Sequence, residues 1–135
     1  MHSQPDSLLA RLCGLELASV VFVRDYVQLD FDGPRLTCWV WPKIGSGETV
    51  LHIGDTGYRD SLCAFIDQTV VSTEDAAGDG LVLRFEKGTL SLDATADKLE
   101  GPEIAMLSGF ADESWDVWRP GDGNSVSEGS DRFQP

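Results

Sequence analysis

Four short segments of this chain alternate apolar and polar side chains with a period of two residues, which is typical of β-strands with one buried face. They are YVQLDF at 26–31, RLTCWVW at 35–41, LVLRFE at 81–86 and TLSLDA at 89–94. We predict that their apolar side chains share one core. Those side chains are Val27, Leu29, Phe31, Leu36, Cys38, Val40, Leu81, Leu83, Phe85, Leu90 and Leu92.

Helix signals lie between and beside these strands. Residues 57–67 predict an amphipathic helix with Thr56 as its N-cap. Two shorter helices are predicted at 5–13 and 102–108, each with a proline near its start and a glycine just after its end. The apolar stripe of the central helix is Tyr58, Leu62, Phe65 and Ile66.

The order of these elements indicates the fold class. Further strands are predicted at 15–23, 48–53, 68–74 and 114–118, with 48–53 at a sheet edge. Closely spaced strands with two or three short helices predict a single α+β domain over residues 1–120, with a mostly antiparallel sheet of six or seven strands. Residues 121–135 are rich in Gly, Asp and Ser and predict an acidic, disordered tail.

Two parts of the chain show a weak internal echo. Residues 27–31, a turn and Leu36 align with residues 81–85, a turn and Leu90. A duplication of two antiparallel units joined by a helix would produce this pattern. Chance would produce it as well, because strands with one buried face resemble one another.

The net charge of −13 over 135 residues limits the classes of partner. Such a field repels nucleic acid and anionic membranes and attracts basic proteins. The simpler interpretation is that the acidity keeps the protein in solution.

The cysteines and the N-terminus bear on the compartment. Cys13, Cys38 and Cys63 have no CxxC spacing, so we expect free thiols rather than a disulfide framework or a zinc site. The N-terminal MHSQPDSLLARLCG lacks the basic start and the long apolar run of a signal peptide. A cytoplasmic location is therefore predicted.

The sharpest catalytic motif is Asp55-Thr56-Gly57, because aspartic peptidases pair two Asp-Thr-Gly loops so that two carboxylates share a proton. Here bulky Tyr58 follows the motif, and the alternative is that Asp55 and Thr56 form a turn and a helix cap. His52 has no neighbouring Cys or His with which to bind a metal, and no glycine-rich phosphate loop is evident. No cofactor or metal is expected.

What remains is a candidate partner-binding surface. The alternation places Trp39 and Trp41 together on the sheet face opposite the core, among polar residues such as Asp30. Trp115 is predicted to enter the core and Trp118 to lie at its margin, beside the other two tryptophans. Tryptophans ringed by acids would anchor a basic partner. The alternative is that a helix covers this face. The candidate partner-binding residues are Asp30, Trp39, Trp41 and Trp118.

Three stretches resemble a family of small bacterial proteins: FVRDYVQLDFDGP at 22–34, GYRDSLC at 57–63 and PEIAML…W.VWRPG at 102–121. The likeness covers roughly residues 14–121. It implies a single domain and a bacterial origin. The family brings no activity, cofactor or catalytic residue, so the resemblance adds no mechanism.

These observations favour a non-enzymatic protein-binding module, of the inhibitor or immunity type, acting against a basic protein such as a nuclease. One alternative is a hydrolase that uses Asp55. A second is a carrier of a small ligand with a pocket lined by tryptophan.

Overall fold

The computed structural model describes residues 7–75, 80–93 and 104–119, together with the backbone of Val126–Ser127. A 3-10 helix spans Leu8–Leu12, and one α-helix, α1, spans Tyr58–Cys63. The strands are β1 (Ser19–Phe22), β2 (Val27–Asp30), β3 (Arg35–Cys38), β4 (Lys43–Ser46), β5 (Thr49–Leu51), β6 (Val70–Asp75), β7 (Gly80–Phe85), β8 (Gly88–Asp93), β9 (Ala105–Ser108), β10 (Asp116–Trp118) and β11 (Val126–Ser127).

The strands form two antiparallel sheets rather than one. The first sheet has the order β1-β2-β3-β9-β10-β11, and the second has the order β5-β4-β8-β7-β6. The predicted α+β class with two or three helices is therefore wrong. Among the described residues the chain is mostly sheet, with α1 as its short α-helix and the 3-10 helix beside it. None of the described helices is long and apolar enough to cross a membrane.

The largest error concerns the helix predicted at 102–108. Ala105–Ser108 instead form β9, which lies inside the first sheet between β3 and β10. Ala105 and Leu107 are buried, whereas Met106 and Ser108 are half-buried, which is the two-residue period of a strand. Four residues are too few to separate this period from that of a helix.

The predicted strand at 35–41 is shorter in the structure, and a strand that was not predicted follows it. β3 ends at Cys38, and β4 spans Lys43–Ser46, which includes Gly45. β4 pairs with β5 on one side and β8 on the other, so neighbouring strands override the weak strand propensity of glycine. The edge strand predicted at 48–53 is present as β5, but it is shorter and spans Thr49–Leu51.

The two halves of the chain repeat one arrangement. In the first half, β1, β2 and β3 form a meander in the first sheet, and the β4–β5 hairpin crosses to the second sheet. In the second half, β6, β7 and β8 form a meander in the second sheet, and the β9–β10 hairpin crosses to the first. Each crossing hairpin pairs with the last meander strand of the other half, β4 with β8 and β9 with β3.

Hydrogen bonds where the halves meet follow the same symmetry. The Gly14 N–H donates to the Val70 carbonyl at 2.8 Å, and the Asp67 N–H donates to the Leu17 carbonyl at 2.8 Å. Gly14 and Asp67 both have positive φ, 89° and 78°. The cross-strand pairs Leu29–Leu36 and Leu83–Leu90, which carry the echo in the sequence, are likewise equivalent. The echo therefore corresponds to a repeat of topology.

The core prediction is confirmed. All eleven side chains of the predicted apolar face are buried, and they belong to one cluster that includes residues of both sheets. The central helix is shorter than predicted, but its apolar stripe packs inward: Tyr58, Leu62 and Phe65 are buried and Ile66 lies against the core. The two sheets thus enclose a shared interior, as in a sandwich.

Candidate binding site

The two tryptophans expected to share a face are separated. The chain bends at Trp39 and Val40 directly after β3, and the Ile104 carbonyl accepts hydrogen bonds from both backbone N–H groups. Trp41 then packs against the core, whereas Trp39, although half-buried, is not among the side chains that do so. The prediction that both rings lie opposite the core is therefore wrong for Trp41, because the alternation stops where the strand stops.

Trp115 and Trp118 exchange the places predicted for them. Trp118 is 1% exposed and its Nε1 donates to the Asp75 carboxylate at 2.9 Å, whereas Trp115 is half-buried. Trp118 faces the core because it alternates with Val117 in β10 and pairs with buried Ala105 of β9. A buried Trp118 is not available to a partner.

Asp30 remains at the surface, at the end of β2. Its carboxylate accepts a hydrogen bond from the Arg35 guanidinium at 3.3 Å, across the β2–β3 pair. Both side chains are partly exposed, so the ion pair contributes at most about 1 kcal/mol. The carboxylate is thus engaged within its own hairpin rather than with the tryptophans with which it was grouped.

Around Trp41 three elements bring aromatic and basic side chains together. The ring of Trp41, from the segment between β3 and β4, stacks on Phe22 of β1 with centroids 6.5 Å apart and an interplanar angle of 18°. The guanidinium carbon of Arg59 from α1 lies 5.1 Å from the centroid of Phe22. Contacts of this kind are each worth about 0.5–1.5 kcal/mol. The stack restricts the orientation of the Trp41 ring, and the Arg59 contact restricts that of Phe22.

A pocket of about 150 Å³ opens beside this stack, and we call it the Trp41 pocket. Val40, Trp41 and Ile53 supply its apolar walls. Lys43 and Asp93 line it as an ion pair with an Nζ–Oδ2 distance of 3.4 Å. Its remaining polar lining is His52 and Ser91. The pocket is therefore mainly apolar, with a carboxylate, a hydroxyl and two basic groups at its border.

A shallower groove continues from the Trp41 pocket on the far side of Ile53. It has a volume of about 280 Å³, and its charged side chains are Asp55, Arg59 and Asp60. Ile53 lines both depressions and is 41% exposed, so its side chain is accessible from either one. The two depressions meet at Ile53, and their charged lining is mixed: Asp55, Asp60 and Asp93 are acidic, whereas Lys43, His52 and Arg59 are basic.

The Asp-Thr-Gly stretch forms a turn, and its residues Asp55 and Gly57 line this groove. The Asp55 carboxylate accepts a hydrogen bond from the His52 backbone N–H at 2.8 Å and lies 3.8 Å from its Nδ1. The turn interpretation of Asp55 is confirmed. The cap assigned to Thr56 is wrong, because the N-cap of α1 is Gly57, whose φ of 85° suits glycine, and no side chain bonds the helix end.

A third depression of about 300 Å³ lies between β5 and α1, and it contains none of the residues proposed from the sequence. Among the described residues, no group of three or more His, Cys, Asp or Glu side chains could hold a metal ion. The cysteines are free, with Cys13 and Cys63 exposed and Cys38 buried.

Tyr58 anchors α1 beneath the site. Its hydroxyl donates to the Pro42 carbonyl at 2.5 Å, and the side chain is 2% exposed. Burial, with a smaller contribution from nearby Cys38, raises the pKa of the Tyr58 hydroxyl well above its ordinary value. Burial also raises the pKa of the Cys38 thiol. Both groups are held in their neutral forms.

These two groups predict a loss of stability in alkali. The unfolded chain ionises them near their ordinary pKa values, about 8.5 for Cys and 10 for Tyr, whereas the folded chain resists ionisation. The free energy of unfolding should therefore fall as the pH rises above about 9. In Tyr58→Phe and in Cys38→Val the fall should be shallower, as measured by urea denaturation at successive pH values. Curves parallel to the wild type for both variants would contradict the assignment.

Of the residues that form the Trp41 pocket and its stack, only Trp41 was identified as a site residue from the sequence. Phe22 and Ile53 lie in segments with strand patterns, and nothing in those local patterns distinguishes them from core residues. Comparison with known protein families, with curated proteins and with solved structures found no match. The resemblance to a bacterial family thus stays a prediction, and the site alone bears on function.

Proposed function

We propose that this chain is a non-enzymatic module that binds a basic protein, and that the Trp41 pocket receives one side chain of that partner. The observation that supports this most is the size and lining of the pocket. Its volume of about 150 Å³ is close to that of one large side chain. Sites for small molecules usually measure about 300–1,000 Å³. Taken without the neighbouring open groove, the Trp41 pocket is smaller than a usual small-molecule site, which favours a protein partner over the small-ligand carrier.

The charge of the chain supports a basic partner. The net charge of the whole chain is −13, and Asp55 and Asp60 are exposed beside the Trp41 pocket. Arg59 and Lys43 stand close to these acids, so the attraction comes from the field of the whole chain rather than from the lining of the site. Such a field speeds the encounter with a positively charged protein, and a central aromatic anchor then supplies short-range affinity. An inhibitory or immunity-type role against a basic enzyme is the finer form of this proposal.

The hydrolase alternative receives less support from the geometry. The Asp55 carboxylate is committed to the turn at His52, and both side chains are about half exposed. A catalytic pair of aspartates would need a second carboxylate close enough to share a proton. Among the described residues, the hydrogen bond and the ion pair of the Asp55 side chain both involve His52.

The test uses the basic protein that co-purifies with the tagged chain, purified and re-measured as a two-component complex. We expect the affinity to fall by more than about tenfold between about 50 and about 500 mM NaCl, because the attraction is screened. We expect Trp41→Ala to weaken binding by about 30-fold or more, as for a tryptophan anchor. Trp39→Ala is the matched control and should change the affinity little. An affinity that does not change with salt would refute the proposal.

A further inference from the structure

The repeat of topology allows the two halves to be compared residue by residue. Leu36 in β3 and Leu90 in β8 hold equivalent positions in their hairpins. Leu36 pairs with Leu107 of β9, and Leu90 pairs with Ile44 of β4. Ile44 and Leu107 are therefore equivalent positions in the two crossing hairpins.

The comparison extends to the second strand of each hairpin. Ile44 lies opposite Leu51 in β5, and Leu107 lies opposite Asp116 in β10. Two residues further along the chain stand Ile53, in the turn beyond the end of β5, and Trp118, the last residue of β10. By count from these pairs, Ile53 of the Trp41 pocket corresponds to the fully buried Trp118, but the β-ladder of the first half ends before it.

The same correspondence holds on the meander side of the site. Phe22 pairs with Val27 in the first half, and Asp75 pairs with Leu81 in the second, so Phe22 and Asp75 are equivalent. Trp118 contacts Asp75 through its indole N–H. In the first half, Phe22 stacks on Trp41, which lines the pocket.

The two equivalent positions differ in how they are occupied. Trp118 is 1% exposed, and its indole donates to a carboxylate, so the molecule's own side chain occupies the second-half position. Ile53 is smaller and 41% exposed, and the pocket of about 150 Å³ stays open beside it. The pocket therefore lies where the first half has the smaller side chain of Ile53 and the second half has the indole of Trp118.

We infer that the Trp41 pocket takes one tryptophan or tyrosine side chain of the partner, which stands where Trp118 stands in the other half. This inference rests on the proposed function. Val40, Trp41 and Ile53 supply the apolar and aromatic surface for the ring. The repeat has Phe22 at the position of Asp75, so the acceptor for an indole N–H or a phenol O–H would come from β8 instead. It would be the Asp93 carboxylate at the border, whose present partner is Lys43.

The neighbouring groove specifies what should flank that aromatic residue. Asp55 and Asp60 line the groove and are exposed, with Arg59 beside them, and Ile53 connects the groove to the pocket. The two carboxylates outnumber the one guanidinium there, so a basic residue one or two positions from the aromatic anchor would meet an acidic side chain. The partner segment is therefore an exposed aromatic residue next to lysine or arginine, which agrees with a basic partner.

The experiment titrates the full chain with N-acetyltryptophanamide and N-acetylleucinamide, followed by the amide and indole N–H resonances in ¹H–¹⁵N spectra. The tryptophan derivative should shift the Ile53 amide and the Trp41 indole with a Kd of the order of millimolar, as expected for one side chain. Binding of the leucine derivative should be at least about fivefold weaker, because it lacks the ring and the donor.

The decisive variant is Ile53→Trp, which places an indole at the position equivalent to Trp118. It should fill the pocket and abolish the response to N-acetyltryptophanamide. Val50→Trp is the matched control, because Val50 lies in β5 three residues before Ile53, is 52% exposed and does not line the pocket. If Ile53→Trp does not fold, Asp93→Asn replaces it. This variant should weaken the binding of N-acetyltryptophanamide more than that of N-acetylphenylalaninamide, which has no ring donor.

The outcomes separate this inference from the proposal that it rests on. The inference that an aromatic side chain occupies the pocket is refuted if the tryptophan and leucine derivatives cause equal chemical-shift changes. It is also refuted if Ile53→Trp responds to the tryptophan derivative as strongly as the wild type does. If the purified basic partner then still binds with the expected dependence on salt and on Trp41, the binding proposal stands and only the occupant is wrong. If the derivative binds as expected but the partner's affinity ignores salt and Trp41, the proposed function fails.

Discussion

Replacing Trp118 with alanine should lower the free energy of unfolding by about 3–5 kcal/mol, the range for large core aromatics. Trp118 is the largest fully buried side chain among the described residues, and it packs in the core cluster that both sheets share. Its removal leaves a cavity and takes a donor from the Asp75 carboxylate. Urea denaturation monitored by far-UV circular dichroism measures the change.

Two further variants separate the causes of this loss. Trp118→Phe keeps most of the ring but removes the indole N–H, so it should cost about 1–3 kcal/mol. Trp115→Ala truncates a half-buried tryptophan three residues away and should cost clearly less than Trp118→Ala. Equal losses of stability in the two alanine variants would contradict the assignment of Trp118, rather than Trp115, as the core tryptophan.

Gly109→Ala is the second substitution expected to have a large effect, with a loss of about 2–4 kcal/mol. Gly109 has a φ of 90°, and a Cβ added there would overlap the backbone carbonyl oxygen of Gly33 in the β2–β3 turn. The close approach joins the end of β9 to the turn of the neighbouring hairpin, and backbone on both sides leaves little room to adjust. Denaturant unfolding gives the loss directly.

Gly54→Ala is the control for this substitution. Gly54 has a nearly identical φ of 96°, but a Cβ added there would have no other atom within 4 Å, so only the backbone strain applies. We expect a loss of about 1–2 kcal/mol there. The difference between the two variants measures the contact with Gly33. Equal losses would mean that the contact contributes nothing.

The sequence predicted most accurately the features that depend on residues close together in the chain, namely the buried faces of strands and the central helix. The alternation at 26–31 and 81–86 identified which side chains enter the core, and all of them are buried. A period of two is a property of the extended backbone itself, so it shows without knowledge of the partner strand. The helix at α1 was recognised for the same reason, because its apolar stripe spans more than one turn.

The errors arose where a segment was too short or its strand neighbours were distant. Ala105–Ser108 was predicted to be helical, yet it is held as β9 by β3, which lies far away in the sequence. Trp41 was placed on the outer face, because nothing local reveals that β3 ends at Cys38. Tertiary pairing decides such segments, since their intrinsic preferences differ by only about 1 kcal/mol per residue.

The candidate site shows the same limit. Phe22, Trp41, Ile53 and Arg59 come from four separate parts of the chain, and only the crossing of the β4–β5 hairpin into the second sheet brings them together. The sequence by itself determined the apolar faces of the strands and the acidic charge. The tertiary structure alone decided that two sheets share the core, that Trp118 is buried and that a pocket opens beside Trp41, because these depend on contacts between distant segments that no local pattern encodes.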